Sequence, residues 1–421
     1  LSVIMMVFLT DDFFQLNANF IFQNRDFLKL LSYRVLMVLA YQIIAVVVGW
    51  HIYELTHDPL ALGLIGLAEV IPYFSTALFA GYAVDHYSRR LLGALASVML
   101  FSNALTLSAV SAGLIIGNPV YWIYASIAFT GLARAFIAPA YNSLFAMVLP
   151  REQYAKAAGF GSSVIQTGLV MGPALGGLLV AYASKTVAYS LASALFLGAA
   201  IAMAAVRVQE PKPIAGSPVF ASIAEGLRFV VSNQIIVAAQ CLDMFAVLFG
   251  GAVSMLPAFI QQIFHYGPEG LGMLRAAPAL GSIVSGLVLA RYPINLHAGR
   301  ILLISVAAFG VCIIGFALST NVWIAGVWLI FSGVFDGVSV VMRTTILQLA
   351  TPDAMRGRVS AINGIFIGSS NELGAFESGV AARIMGLVPS VIFGGIMTLL
   401  VVGVTAKKAP RLRKLELSQL Q

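Results

Sequence analysis

Phe129-Thr130-Gly131-Leu132-Ala133-Arg134 returns 202 residues later as Phe331-Ser332-Gly333-Val334-Phe335-Asp336. The same shift, without a gap, lays Pro150 on Pro352, Lys156 on Arg358, Gly172 on Gly374 and Gly177 on Gly379. The match covers two long apolar runs and the polar stretch between them, so the chain repeats itself. Around this repeat the composition is extreme. Of 421 residues, 60% are hydrophobic and 10% charged, with a mean hydropathy of +0.94. Soluble chains carry about 25% charged residues. So much apolar surface does not fit inside one soluble core, and lipid must be the solvent for most of the chain. The figures exclude a soluble enzyme, a disordered chain and a nucleic-acid-binding domain.

A helix that crosses a bilayer needs roughly 20 apolar residues. Working outward from the repeat, twelve such spans are expected, at 31–53, 59–83, 91–116, 119–148, 157–183, 186–206, 234–264, 270–290, 300–318, 322–350, 359–382 and 387–406. The fold class is therefore an all-α membrane protein with twelve transmembrane helices in two pseudo-symmetric six-helix halves. Residues 31–206 form the first half and 234–406 the second. Between them, 207–233 reads as a linker with three prolines, followed by a short helix whose Val219, Phe220, Ile223, Leu227 and Val230 recur at helical spacing. Residues 1–30 are a short N-terminal segment and 407–421 a basic tail. Leu1–Thr10 is apolar but too short to span, and Asp11 and Asp12 follow it, so no export signal is expected there.

Lysine and arginine set the orientation. With the N-terminus inside, 19 of the 24 fall on cytoplasmic segments, 2 outside and 3 within spans. The positive-inside rule then puts both chain ends in the cytoplasm. The net charge of +7 lies largely beside anionic lipid headgroups. Cys241 and Cys312 lie in apolar runs and suggest neither a disulfide framework nor a metal site.

Two motifs carry a family resemblance. The loop after the second span reads Gly81-Tyr82-Ala83-Val84-Asp85-His86-Tyr87-Ser88-Arg89-Arg90. It resembles the G-x-x-x-D-R-x-G-R-R signature of the major facilitator superfamily, departing from it at His86 and Ser88. The fifth span reads Gly168-Leu169-Val170-Met171-Gly172-Pro173-Ala174-Leu175-Gly176-Gly177. It resembles the G-x-x-x-G-P-x-x-G-G signature of the exporter (antiporter) branch. Thr56-His57-Asp58-Pro59-Leu60, the run from Thr351 to Arg358 and the run from Gly368 to Gly374 are similar to bacterial exporters. That group includes the enterobactin (siderophore) exporter and the macrolide-efflux drug:proton antiporters. The resemblance implies a proton-driven exporter without identifying its solute.

Charges inside spans point to the working residues, because ionisable groups in a membrane are expensive and usually face a cavity or each other. Arg134 and Asp336 occupy equivalent places in the two halves. The family fold lines its central cavity with the fourth and tenth spans, so these two are expected to face each other across it. Arg343, about two turns after Asp336, shares that face. Arg134 and Arg343 are candidates for contact with acidic or phenolate groups of a solute, and Asp336 for response to protons. A structural salt bridge between the halves is the plainer alternative. Glu69 in the second span and Glu372 in the eleventh are brought together by the family fold. Two carboxylates in a partly dry site do not both ionise readily, so one can carry a coupling proton. Asp243 is a further candidate, and Glu377 is expected to pair with Arg383 or to face an outer vestibule. Tyr41, Tyr73 and Tyr141 are candidates for an aromatic pocket. His51, beside Trp50 and Tyr53, reads as an interfacial residue.

The conformational motif residues are Gly81, Asp85, Arg89 and Arg90, expected to latch a closed state against the start of the eleventh span, and Gly168, Gly172, Pro173, Gly176 and Gly177. The glycines of the fifth span allow close helix approach, and Pro173 allows a bend. They are expected to form packing or a dry, bendable contact between the halves.

No G-x-x-x-x-G-K-[ST] loop and no H-E-x-x-H motif occurs, so neither ATP hydrolysis nor a metal centre is expected, and no cofactor. The expectation is a secondary active transporter, not an enzyme. It would act as a monomer in the bacterial inner membrane, alternate access to a mid-membrane site and exchange a siderophore or amphipathic drug-like solute for protons. An importer or uniporter of a small nutrient is the first alternative, and a non-transporting receptor the second.

Overall fold

Short polar side chains start many of the helices. Asn24 accepts hydrogen bonds from Asp26 N and Phe27 N. Asp58 accepts from Leu60 N with Pro59 at the first helical position. Asn118, ahead of Pro119, and Asn321 do the same for Val120 N and Trp323 N. Each satisfies an N–H that has no carbonyl one turn earlier. The computed structural model describes residues 24–150, 153–208, 219–292, 297–352 and 355–417. In it the first half comprises α1 (Arg25–Thr56), α2 (Pro59–His86), α3 (Arg89–Ser111), α4 (Pro119–Val148), α5 (Tyr154–Tyr182) and α6 (Lys185–Ala204). A connecting helix, α7 (Val219–Ser232), seats Val230 against Ile236, Val359 and Ile362. The linker residues 209–218 lie outside the described residues.

The second half opens with a broken span. The apolar run at 234–264 is α8 (Gln234–Phe249), a 3-10 turn (Gly251–Met255), α9 (Leu256–Phe259) and a π turn (Ile260–Phe264). Gly250 and Gly251 weaken the helix there, and Pro257 lacks an N–H for it. Then follow α10 (Pro268–Arg291), α11 (Ala298–Ala317), α12 (Val322–Ala350), α13 (Arg356–Met385), α14 (Leu387–Lys408) and the short α15 (Pro410–Arg413). Among the described residues, 11 spans are long and apolar enough to cross a membrane. The twelfth helix, α13, has 30 residues but misses on apolarity. Asn363, Ser369, Ser370, Asn371, Glu372, Glu377 and Ser378 lie along it. That polarity fits a helix packed between the halves rather than facing lipid. Outward-facing apolar side chains such as Phe79, Ile201, Ile304 and Trp323 cover the rest of the bundle.

The halves meet where α2 packs on α13 and α5 on α10. Glycines permit the approach. A Cβ at Gly63 would lie 2.9 Å from Gly379 Cα, and one at Gly177 would lie 2.6 Å from Pro268 O. All four positions are near the face opposite the chain ends. On that face Arg383 of α13 also pairs with Asp58 at the start of α2, and Gln262 Nε2 donates to Tyr53 Oη at 2.5 Å. Toward the face carrying the chain ends, glycines of α2, α5 and α13 have space around them. A Cβ at Gly81, Gly159 or Gly364 would meet nothing within 4 Å among the described residues. Among the described residues, the backbone-to-backbone contacts between the halves therefore lie on the face opposite the chain ends.

Gly177→Val should push α5 from α10 and lengthen the distance between spin labels at Tyr182 and Tyr266, whereas Gly159→Val should leave it unchanged. Electron–electron resonance on the labelled protein reads both, and equal distances in the two variants would remove the glycine contact from the closure.

Candidate functional site

Three helices converge on one arginine. Arg134 Nη1 of α4 donates to Glu69 Oε1 of α2 at 2.5 Å and to Glu372 Oε1 of α13 at 3.2 Å. It also donates to Tyr41 Oη of α1 at 2.8 Å, and that hydroxyl donates to Glu69 Oε1 at 2.9 Å. The Tyr41 and Tyr73 rings flank the guanidinium, their centroids 5.1 and 5.6 Å from its central carbon. Two glycines make the convergence possible. A Cβ at Gly131 of α4 would collide with the Glu69 carbonyl, and one at Gly66 of α2 with the Glu372 carbonyl. Of the two carboxylates, Glu69 is the more enclosed, its side chain 9% exposed against 19% for Glu372.

Beside this cluster lies a cavity of about 130 Å³. Glu69, Glu372 and Tyr41 line it from one side, and Ser254 and Pro257 from the broken seventh span. Arg275 of α10 completes the wall and donates to Ala45 O at 3.3 Å. The cavity thus joins residues of both halves.

The structure corrects several expectations. Arg134 does not face Asp336, because acids on α2 and α13 are nearer. Asp336 sits half-buried on α12, without a hydrogen bond or ion pair among the described residues. Arg343 is buried and paired with Asp243 of α8 in the second half, so it is not a wall of the cavity. Next to that pair, Gln240 Nε2 donates to Asn363 Oδ1 at 2.7 Å. Arg383 pairs with Asp58 rather than with Glu377, which is half-buried. His51 is buried near the end of α1, 3.2 Å from Tyr189 Oη. Tyr141 stacks on Tyr33 beneath the Arg34 guanidinium, away from the Arg134 cluster.

The fifth-span glycines divide between two partners. Gly168, Gly172 and Gly176 pack on Val38, Gln42 and Ile43 of α1, within one half. Only Gly177, with the Pro173 carbonyl lying against Gly272, meets the other half. In the loop motif, Arg90 Nη1 donates to Val206 O at 3.2 Å and Arg89 Nη1 approaches Met147 Sδ at 3.8 Å. The side chains of Asp85, Arg356 and Arg358, on which the expected latch depends, lie outside the described residues.

Arg275 was not among the sequence candidates, although it carries the same signal as Arg134, an arginine within an apolar span. The sequence does not show that the seventh span breaks beside it.

This architecture is that of a known family. The Major Facilitator Superfamily matches residues 30–375, and the chain belongs to it. The family comprises transporters rather than enzymes. The chain is 25% identical over 387 residues to the multidrug efflux pump Tap of Mycolicibacterium fortuitum, covering 88% of this chain and 92% of that one. It is also 25% identical over 401 residues to the enterobactin exporter EntS of Citrobacter koseri, covering 91% and 94%. Among solved structures it is similar to a POT family transporter in complex with a thioalcohol-conjugated peptide, with a TM-score of 0.73, 10% identity and coverage of 93% and 97%. It is likewise similar to a bacterial homologue of the human lysosomal transporter Spinster, inward-facing and unoccupied, with a TM-score of 0.72, 14% identity and coverage of 92% and 98%. The chain is thus a multi-pass membrane transporter of small molecules.

Removing one partner of a buried ion pair typically costs about 3–5 kcal/mol. Glu69→Ala should therefore lower the unfolding temperature of the detergent-solubilised protein more than Glu372→Ala, whose bond is longer and wetter. The reverse order would show that Glu372 is the principal partner of Arg134.

Proposed function

We propose that this transporter exports a small organic solute across the bacterial inner membrane in exchange for protons, acting as a single chain. The observation that carries the reading is the bond from Arg134 to Glu372. Arg134, Glu69 and Tyr41 belong to the first half, and Glu372 to the second. Within the cluster, this is the ionic contact that links the halves. A proton on Glu372 turns the ion pair with Arg134 into a weaker hydrogen bond from the guanidinium to a neutral carboxyl group and frees α13 to move against α2. The distribution of lysine and arginine supports chain ends in the cytoplasm, so the face where Gly81, Gly159 and Gly364 have free space is read as the cytoplasmic, open one. The geometry then corresponds to a state in which the solute enters from the cytoplasm while Glu372 is ionised. After rocking, the solute leaves outward, a proton from outside takes its place at Glu372, and the return delivers that proton inward. The efflux pump and siderophore exporter among the relatives support the outward direction. A catecholate siderophore and an amphipathic drug-like compound are the solutes to try first.

Glu372→Gln should fold and bind solute, yet lose transport driven by a pH gradient. Purified protein in liposomes, offered a catecholate siderophore, a macrolide and a lipophilic cation dye, measures this. Wild-type gradient-driven transport by the variant would exclude Glu372 as the coupling group.

A further inference from the structure

Glu69, Glu372 and Arg275 line the central cavity with Arg134 beside it, and their charges are not paired evenly. Both carboxylates are drawn to Arg134. Arg275 forms no ion pair among the described residues: Glu69 and Glu372 act on it only through space, and it donates to the Ala45 carbonyl at 3.3 Å. A guanidinium offers five N–H donors in a planar fork, so Arg275 keeps donor capacity beyond the Ala45 bond beside the cavity it lines. A charge held inside a membrane span without a partner is costly. The cavity itself indicates what could supply the partner.

Much of its remaining wall is apolar, with Ile44, Val48, Leu62, Ile65, Ile127 and Pro257 surrounding the space. Its volume, about 130 Å³, approaches that of cavities which hold a single benzene ring, roughly 150 Å³. An unpaired cation on an apolar, ring-sized chamber suits a ring that carries an acidic oxygen.

We propose that Arg275 anchors the transported solute by taking the carboxylate or phenolate oxygen of an aromatic head group seated in this cavity. The proposal rests on the reading of the cavity as the transport site and narrows its solute class. The fork of Arg275 gives the acidic oxygen two donors where a lysine would give a point charge. The larger remainder of a solute would trail toward the open face. A hydroxyl next to the acidic group can donate to Glu372 on the same wall, occupying the lone pair that a proton would otherwise take. Solute and proton then exclude each other at that carboxylate, as exchange requires.

The test is equilibrium dialysis of the full chain in lipid nanodiscs, with empty discs as blank and radiolabelled salicylate, methyl salicylate and benzylamine as probes. Wild type should bind salicylate in preference to the ester and the amine. Arg275→Gln should weaken salicylate binding at least about tenfold, the scale of one charge-assisted hydrogen bond, and leave the ester unchanged. Arg275→Lys should retain part of the preference. It also serves as the reading variant should Arg275→Gln not fold, and an undiminished preference in it would then count against the anchor. Ala45→Phe, which fills the cavity, should abolish binding of all ring probes. If Arg275→Gln keeps the acid preference while Ala45→Phe abolishes binding, the anchor is wrong and the cavity still stands as the site. If Ala45→Phe changes nothing, both the anchor and the choice of site fall. Equal wild-type affinity for acid and ester also overturns the proposal.

Discussion

An arginine at the centre of a membrane span costs about 2.5–3.5 kcal/mol on insertion scales, and Arg134 is placed where that cost has to be met by neighbours. The rest of the centre follows from this requirement. Glu69, Glu372 and Tyr41 supply acceptors from three other helices. For those helices to come within hydrogen-bond range, their backbones must nearly touch, and only a residue without Cβ allows it. Gly131 and Gly66 stand at the contacts and take up no space against the carbonyls of Glu69 and Glu372. Charge thus dictates convergence, and convergence dictates glycine.

The same logic separates the two faces of the bundle. On the closed face, Gly63 against Gly379 and Gly177 against Pro268 bring backbone to backbone, and an Asp58–Arg383 pair spans the join. Such contacts are short-ranged. Dispersion falls away within an ångström of separation, so a small rocking of one half is enough to undo them. The open face has glycines on these same helices, Gly81, Gly159 and Gly364, that touch nothing among the described residues. Glycines with free space on one face and crowded ones on the other describe helices whose backbones touch at one end.

Much of this was legible in the sequence, and the reasons for the rest are physical. Spans are readable because hydrocarbon imposes a length and a polarity on each helix. The repeat exposed the two halves because it preserves glycine and proline positions. Glu69, Glu372 and Arg134 were identifiable as in-span charges. Their partners were not, because every helix here is apolar on most faces, and periodicity then fails to orient it. For this reason Asp336 and Arg343, placed on one face by spacing, diverge from Arg134 in the structure, and Arg343 turns to Asp243. For the same reason the glycine face of α5 packs mainly on α1 within its own half. Arg275 depended on a feature with little local signature, the interruption of one span between Phe249 and Phe264.

That interruption has a further consequence for the site. A continuous helix would present one side chain per turn to the cavity and keep its backbone polar groups paired internally. Where α8 gives way to a 3-10 turn, the chain tightens and then widens again in the π turn. This brings Ser254 and Pro257 to the cavity wall that Glu69 and Glu372 also line. Irregular backbone inside a membrane is tolerated where protein or a cavity shields it from lipid, and here Ala252 and Met255 are buried in protein while Ser254 lines the cavity. The first half holds its acid and arginine together on regular helices. The second half contributes the more exposed carboxylate, the second arginine and the irregular wall. The charges around the cavity therefore come from both halves, an arrangement in which motion between the halves changes the one ionic bond that links Arg134 to Glu372 while leaving the bond from Arg134 to Glu69 intact.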